Sequence, residues 1–183
     1  MDLFPVFLKL SGRRVVVVGG GPVAASKLDA LRHADADVTV VAPEIHPAIR
    51  AAGVRIEVRP FQPSDLDDAW LVVAAATPEV NAAVAREAAR RRLFVNAVDD
   101  PAHASAYLGG VVRRAGVTIA ISTSGEAPAL AGVLREGLDA VLPDDLERWT
   151  ASARALRARW KAEGVPMADR RPQLIEALKE LYP

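Results

Sequence analysis

The chain has no cysteine, which excludes disulfide scaffolds, thiolate metal sites and a cysteine nucleophile. It also has no excess of either charge. Its 23 lysines and arginines balance 23 aspartates and glutamates, so bulk attraction to nucleic acid is not expected. Histidine is scarce, with three copies at His33, His46 and His103, and their surroundings do not form a preset multi-histidine metal site. No apolar run approaches the ~20 residues of a membrane span. The opening "MDLFPVFLKLSG" lacks the cationic start and long apolar stretch of a signal peptide. The expectation is a soluble, cytoplasmic protein with neither membrane nor nucleic acid as a partner. A length of 183 residues suits one ordinary domain with a smaller appendage.

Strand and helix patterns alternate through the first two thirds of the sequence. "RVVVVGG", "DVTVVAP", "AWLVVAAAT", "LFVNAV" and "VTIAIS" read as strands, mostly apolar without inside–outside alternation, while "VRIEVRPF" alternates like an edge strand. Helical patterns in "PVAASKLDALRHA" and "PEVNAAVAREAARRR" separate them, each opening on a proline suited to a first turn. Such an order predicts an α/β, Rossmann-like, doubly wound parallel sheet covered on both faces. From Pro128 onward the patterns are helical, with Leu130, Leu134, Leu138 and Val141 on one stripe and Leu146, Trp149, Ala153, Leu156 and Trp160 on the next. Amphipathic helices of this kind bury little alone and must pack on the sheet domain, on a partner subunit, or on both. The expected division is a dinucleotide-binding domain over 1–112, a central substrate and dimer segment over 113–143, and a helical dimerisation tail over 144–183.

Gly19, Gly21 and Ala24 match G-x-G-x-x-G/A between a strand and a helix. In that pattern the first glycine permits the tight turn, the second lets backbone approach a pyrophosphate, and the small third residue allows close helix–strand packing. N–H groups at the helix start then face the phosphates. The bland alternative is a tight strand–helix turn that uses glycine only for its backbone freedom. The tip of the second strand reads Ala42, Pro43 and Glu44. It offers neither the usual acidic ribose partner at the tip nor an arginine for a 2′-phosphate, so the residues leave NAD and NADP open.

Two further strand ends carry chemistry. In "VNAVDDPAHAS", Asp100 before Pro101 suits a helix cap, which leaves Asp99 as a candidate general base and His103 as a neighbour on the same face. The alternative is a polar turn. In "ISTSGEAPAL", Ser122, Thr123 and Ser124 could hold anionic ligand groups or could simply cap the following helix. The cationic run Arg154, Arg157, Arg159 and Lys161 reads as a solvated helix face or as the lining of a polycarboxylate site.

Taken together, "VVVVGGGPVAASK", "VVAAATPEVNAAVA", "FVNAVDDP" and "IAISTSGEAPALAGVLREGL" resemble the precorrin-2 dehydrogenase / sirohydrochlorin ferrochelatase family, the dehydrogenase part of siroheme synthase. The resemblance runs in order from Leu3 to about Leu142. It implies oxidation of precorrin-2 to sirohydrochlorin with NAD, ferrous iron as a further substrate in members that also chelate, and an intertwined homodimer involving the tail helices. Nothing in these residues matches the methyltransferase module fused to some relatives. By the same resemblance Gly19, Gly20, Gly21, Pro22 and Val23, with Pro43 and Glu44, correspond to NAD contacts. Asp99 corresponds to the aspartate of the chemistry, and Thr123 to a hydroxyl residue of the tetrapyrrole-facing loop. The chain departs from the family in "SAYLGGVV", where Ala106 and Gly109 replace a bulky aromatic and a proline. A rival reading from another class is an NAD-sensing regulatory module without catalysis, for which Asp99 and the serine–threonine loop would have no use.

Overall fold

The computed structural model describes residues 3–182. Its larger sheet has five parallel strands in the order β3-β2-β1-β4-β5: β1 Arg14–Val18, β2 Asp37–Val41, β3 Arg55–Glu57, β4 Leu71–Ala74 and β5 Phe94–Ala97. Helices α1 (Pro22–His33), α2 (Pro47–Ala51) and α3 (Pro78–Arg91) follow β1, β2 and β4, and a 3-10 turn, Pro63–Leu66, lies between β3 and β4. The order reverses between β1 and β4, which creates the switch point where open α/β sheets bind ligands.

The uninterrupted apolar strands follow from burial on both faces. Val15, Val17, Val38, Val40, Leu71 and Val73 pack with Ala24, Leu28 and Leu31 of α1 and Ile49 of α2. The alternate residues Val16, Val18, Val72, Ala74 and Val95 pack with Val84, Ala85 and Ala88 of α3. Thr39, opposite Val16, is the buried polar residue of β2, and its hydroxyl oxygen has no hydrogen-bond partner among the described residues. The expected edge strand "VRIEVRPF" contracts to β3, and Arg59 beyond it holds the buried carboxylate of Asp65 at 2.6 and 2.9 Å. At the opposite edge, Ser105 and Ala106 lie along β5: both of their N–H groups donate to Val95 O, and Asn96 Nδ2 donates to Ala106 O. That edge is therefore covered.

"VTIAIS" does not join the parallel sheet; β7 (Val117–Ile121) pairs antiparallel with β6 (Gly110–Arg114) in a separate two-stranded sheet. Arg114 faces Val117 in register, and the two linking residues, Ala115 and Gly116, have φ of 49° and 77°. Two positive φ values in a two-residue loop define the primed turn that matches strand twist. Burial along β7 alternates as its pattern of one covered face requires.

Three helices follow: α4 Pro128–Val141, α5 Leu146–Glu163 and α6 Met167–Lys179. The chain folds as two compact units. One runs through Leu108 and includes Ser124–Glu126; the other comprises Gly109–Thr123 and the residues from Ala127 onward. Within the second unit Trp160 is buried, and its Nε1 donates to Gln173 Oε1 at 2.6 Å. Trp149 meets the Tyr182 ring edge-on, and its Nε1 donates to the Tyr182 hydroxyl, which donates in turn to Asp145. On α4, Leu130, Val133, Leu134, Leu138 and Val141 are all exposed.

Candidate functional site

The glycine turn sits at the switch point, between β1 and α1. Gly19 has φ of 128°, and a Cβ there would lie 2.2 Å from Ala75 O, on the turn that follows β4. Both the conformation and the space demand glycine. Gly20 packs against the other neighbouring strand end. A Cβ on it would fall 1.8 Å from Glu44 O, and Gly20 O accepts the His46 N–H at 2.8 Å. The loop Pro43–His46 is thereby docked on the glycine turn, with His46 Nδ1 capping α2 by accepting the Ala48 N–H.

Gly21 differs from both. A Cβ on it would meet nothing within 4 Å among the described residues, so its backbone borders open space. It is the N-cap of α1 but provides no side-chain cap; Pro22 follows, and the first turn has no acidic residue. The N-terminal dipole of a twelve-residue helix is therefore left uncompensated by its own side chains. Ala24, the third position of the motif, is fully buried against the sheet. This is a surface suited to an anion held by backbone.

At the end of β5, Asp99 is exposed, with φ of 55°. Asp and Asn are enriched in this left-handed region, so the turn geometry alone already favours a short polar side chain here. Asp100 does not act as the expected side-chain cap, and the helix expected after Pro101 is only a 3-10 turn, Pro101–His103. Instead His103 Nδ1–H donates to Asp100 Oδ2 at 2.7 Å; a carboxylate only accepts, so the proton lies on Nδ1. His103 is thus paired with Asp100 rather than with Asp99.

The hydroxyl-rich loop divides between the two units. Thr123 Oγ1 accepts the Ala127 N–H at 3.3 Å ahead of α4, but no side chain caps the helix itself. Ser124 and Gly125 both have positive φ. Gly125 lies against Tyr107 and Pro101, where a Cβ would approach 3.2 and 3.3 Å. Ser124–Glu126 and the Asp99–His103 turn therefore belong to one unit. Arg154, Arg157, Arg159 and Lys161 are exposed on α5. Among the described residues no group of three His, Asp or Glu side chains could hold a metal ion, and no helix is long and apolar enough to cross a membrane.

Sequence reasoning passed over Asn81. This buried polar side chain on α3 accepts the Ala76 N–H at 2.9 Å and fixes the turn that packs on Gly19. The signal was present: Asn81 falls in register with Val84, Ala85 and Ala88, on the apolar stripe of its helix.

Residues 6–110 match the family model described as "Putative NAD(P)-binding". The chain belongs to this NAD(P)-binding family. Beyond it, the chain is similar to siroheme synthase 3 of Aeromonas hydrophila subsp. hydrophila, with 44% identity over 93% of this chain and 38% of that protein. It is similar to siroheme synthase 1 of Aeromonas salmonicida at 41% identity, over the same shares, and to siroheme synthase of Methylobacillus flagellatus at 40%, over 86% and 35%. The chain thus spans little more than a third of the length of these curated relatives. Among solved structures, "SirC, precorrin-2 dehydrogenase" superposes with a TM-score of 0.72 at 26% identity, covering 95% of this chain and 88% of that one. The matched region carries the Rossmann-like parallel sheet expected from the sequence, built from five strands.

Proposed function

We propose that the chain is an NAD-dependent dehydrogenase that oxidises precorrin-2 to sirohydrochlorin, with ferrous iron insertion into the product as a second activity. The observation that carries the reading is the glycine turn at the β1/β4 switch point, with Gly21 open and the α1 N-terminus free of acidic side chains. These residues fit a dinucleotide pyrophosphate. Gly19–Val23 would hold it, and Pro43–Glu44, docked on Gly20, would border the adenosine half. When bound, NAD supplies the hydride acceptor. The similarity to a solved precorrin-2 dehydrogenase and to siroheme synthases supports this choice of substrate.

The oxidation removes one hydride and one proton from the macrocycle, and iron insertion displaces two pyrrolic protons. The carboxylate of Asp99, exposed beyond β5, is the group that takes up a proton in either reaction. Ser122, Thr123 and Ser124 would meet the anionic periphery of the substrate. The exposed apolar face of α4, Leu130, Leu134, Leu138 and Val141, supports a homodimer in which a second copy covers it. In that arrangement 113–143 forms the central substrate and dimer segment and 144–183 the helical dimerisation part.

Asp99→Asn tests the chemistry cleanly. Asparagine tolerates the same left-handed backbone, so the turn is preserved while the base is removed. The expected loss is about 10²–10⁴-fold in the reaction that uses it, with NAD affinity unchanged. Wild-type rates for both dehydrogenation and chelation would reduce Asp99 to a turn residue.

A further inference from the structure

The turn between β4 and α3 is held on three sides. The Ala75 N–H donates to Val18 O at 2.8 Å, which extends the β1–β4 pairing past the strands. Ala75 O packs on Gly19, against the position a Cβ would take. The Ala76 N–H donates to Asn81 Oδ1 at 2.9 Å. Because a peptide group is planar, fixing the carbonyl of Ala75 and the N–H of Ala76 fixes the whole plane between them. Asn81 itself is buried, and its backbone N–H donates to Thr77 O at 2.9 Å in the first turns of α3.

We propose that Asn81 is a positioning residue for the dinucleotide, holding the Ala75–Ala76 peptide as the wall that orients the reacting half of the cofactor at the switch point. This rests on the dinucleotide reading above. The pyrophosphate is held elsewhere, by the glycine turn and the N-terminus of α1, so affinity does not depend on Asn81. Orientation does. With the amide removed, the Ala76 N–H loses its acceptor, and the peptide plane keeps only the contacts of Ala75 with Val18 and Gly19. A misplacement of about 1 Å can cost on the order of 10²-fold in rate with little change in binding. A polar residue on the apolar stripe of α3 is hard to account for by helix packing alone, since alanine or valine would fill the stripe without burying an amide.

The test compares Asn81→Ala, Asn81→Asp and Asn81→Ser with wild type. Asparagine and aspartate are alike in size, and aspartate keeps an acceptor at the same point, in the first turns of α3, where the helix dipole favours negative charge. Serine is one atom too short, and it takes the place of the alanine variant if that variant does not fold. NADH dissociation constants are measured by fluorescence, thermal transitions by calorimetry, and kcat and KM for NAD with precorrin-2 as substrate. The expected result is a loss in kcat of about tenfold or more in the alanine or serine variant, a dissociation constant within about threefold of wild type, and restoration by aspartate. Unchanged kcat in a variant lacking the acceptor, or a loss that aspartate does not restore, overturns the proposal. Failure of the wild-type protein to bind NADH would overturn the dinucleotide reading itself, before any variant is made.

Discussion

Gly21→Asp separates binding from folding, because the structure assigns the two effects opposite signs. Gly21 is the N-cap of α1 and gives it no side-chain hydrogen bond. Aspartate is among the best N-cap residues, worth a few tenths of a kcal/mol over glycine. A Cβ at this position meets nothing within 4 Å, and the φ of −85° suits any L-residue. The thermal transition should therefore stay within about 1 °C of wild type or rise slightly. Cofactor binding should move the other way. A carboxylate placed about 4 Å from one phosphate charge costs ~1 kcal/mol in a water-like medium and ~4 kcal/mol at the effective dielectric near a protein surface. At 1.4 kcal/mol per factor of ten, that is roughly fivefold to a thousandfold. Two phosphate charges and the lost space push the expectation above tenfold. Calorimetric titration with NAD and a thermal scan on the same preparation measure both quantities. An affinity within about threefold of wild type, with the fold intact, would reduce the glycine turn to a turn.

Thr39→Val should stabilise the domain by about 1 kcal/mol, since it removes a buried hydroxyl that has no partner among the described residues; a lower urea midpoint would contradict this. Ala115→Asn should also stabilise, by about 1 kcal/mol, because Ala115 holds a φ of 49° that asparagine adopts more readily; the same denaturation measurement decides. Burial pushes the Asp65 carboxyl up, but hydrogen bonds from the Arg59 guanidinium and the Gln62 N–H outweigh it and hold the carboxyl below its ordinary value. Its folded pKa is thus below the unfolded one, so its contribution is complete above the unfolded value and is lost as pH falls through the folded value. Asp65→Asn should cost about 1–3 kcal/mol at neutral pH and flatten the acid limb of stability; an unchanged pH dependence would contradict the assignment. Leu134→Glu with Leu138→Glu should convert the proposed dimer to monomers in sedimentation, with little loss of monomer stability because both side chains are exposed.

The parallel sheet was legible because β1, β2 and β4 are buried on both faces and so lack alternation. The glycine turn was legible because its spacing lies between a clear strand and a clear helix. What misled was local similarity. "VTIAIS" has the same apolar character as a buried parallel strand, and its antiparallel partner begins with glycine and ends in two arginines. The turn that joins them is Ala-Gly rather than the Asn-Gly that marks such hairpins. At the β5 end, Asp100-Pro101 looked like a helix start, yet the chain makes a single 3-10 turn and the Asp100 carboxylate goes to His103. No spacing rule could assign that carboxylate between a backbone cap and an imidazole. Asn81 was visible as a polar residue on an apolar stripe, but its meaning depends on Gly19, a residue 62 positions earlier, which only the sheet order brings near.

The most direct test of the account is an anaerobic reaction of the purified protein with precorrin-2 and NAD, following NADH and sirohydrochlorin together by absorbance. The account predicts that both appear at equal rates, one NADH per sirohydrochlorin, and that neither forms without NAD. Tight NAD binding without any NADH when precorrin-2 is supplied would contradict the dehydrogenase assignment and favour a nucleotide sensor.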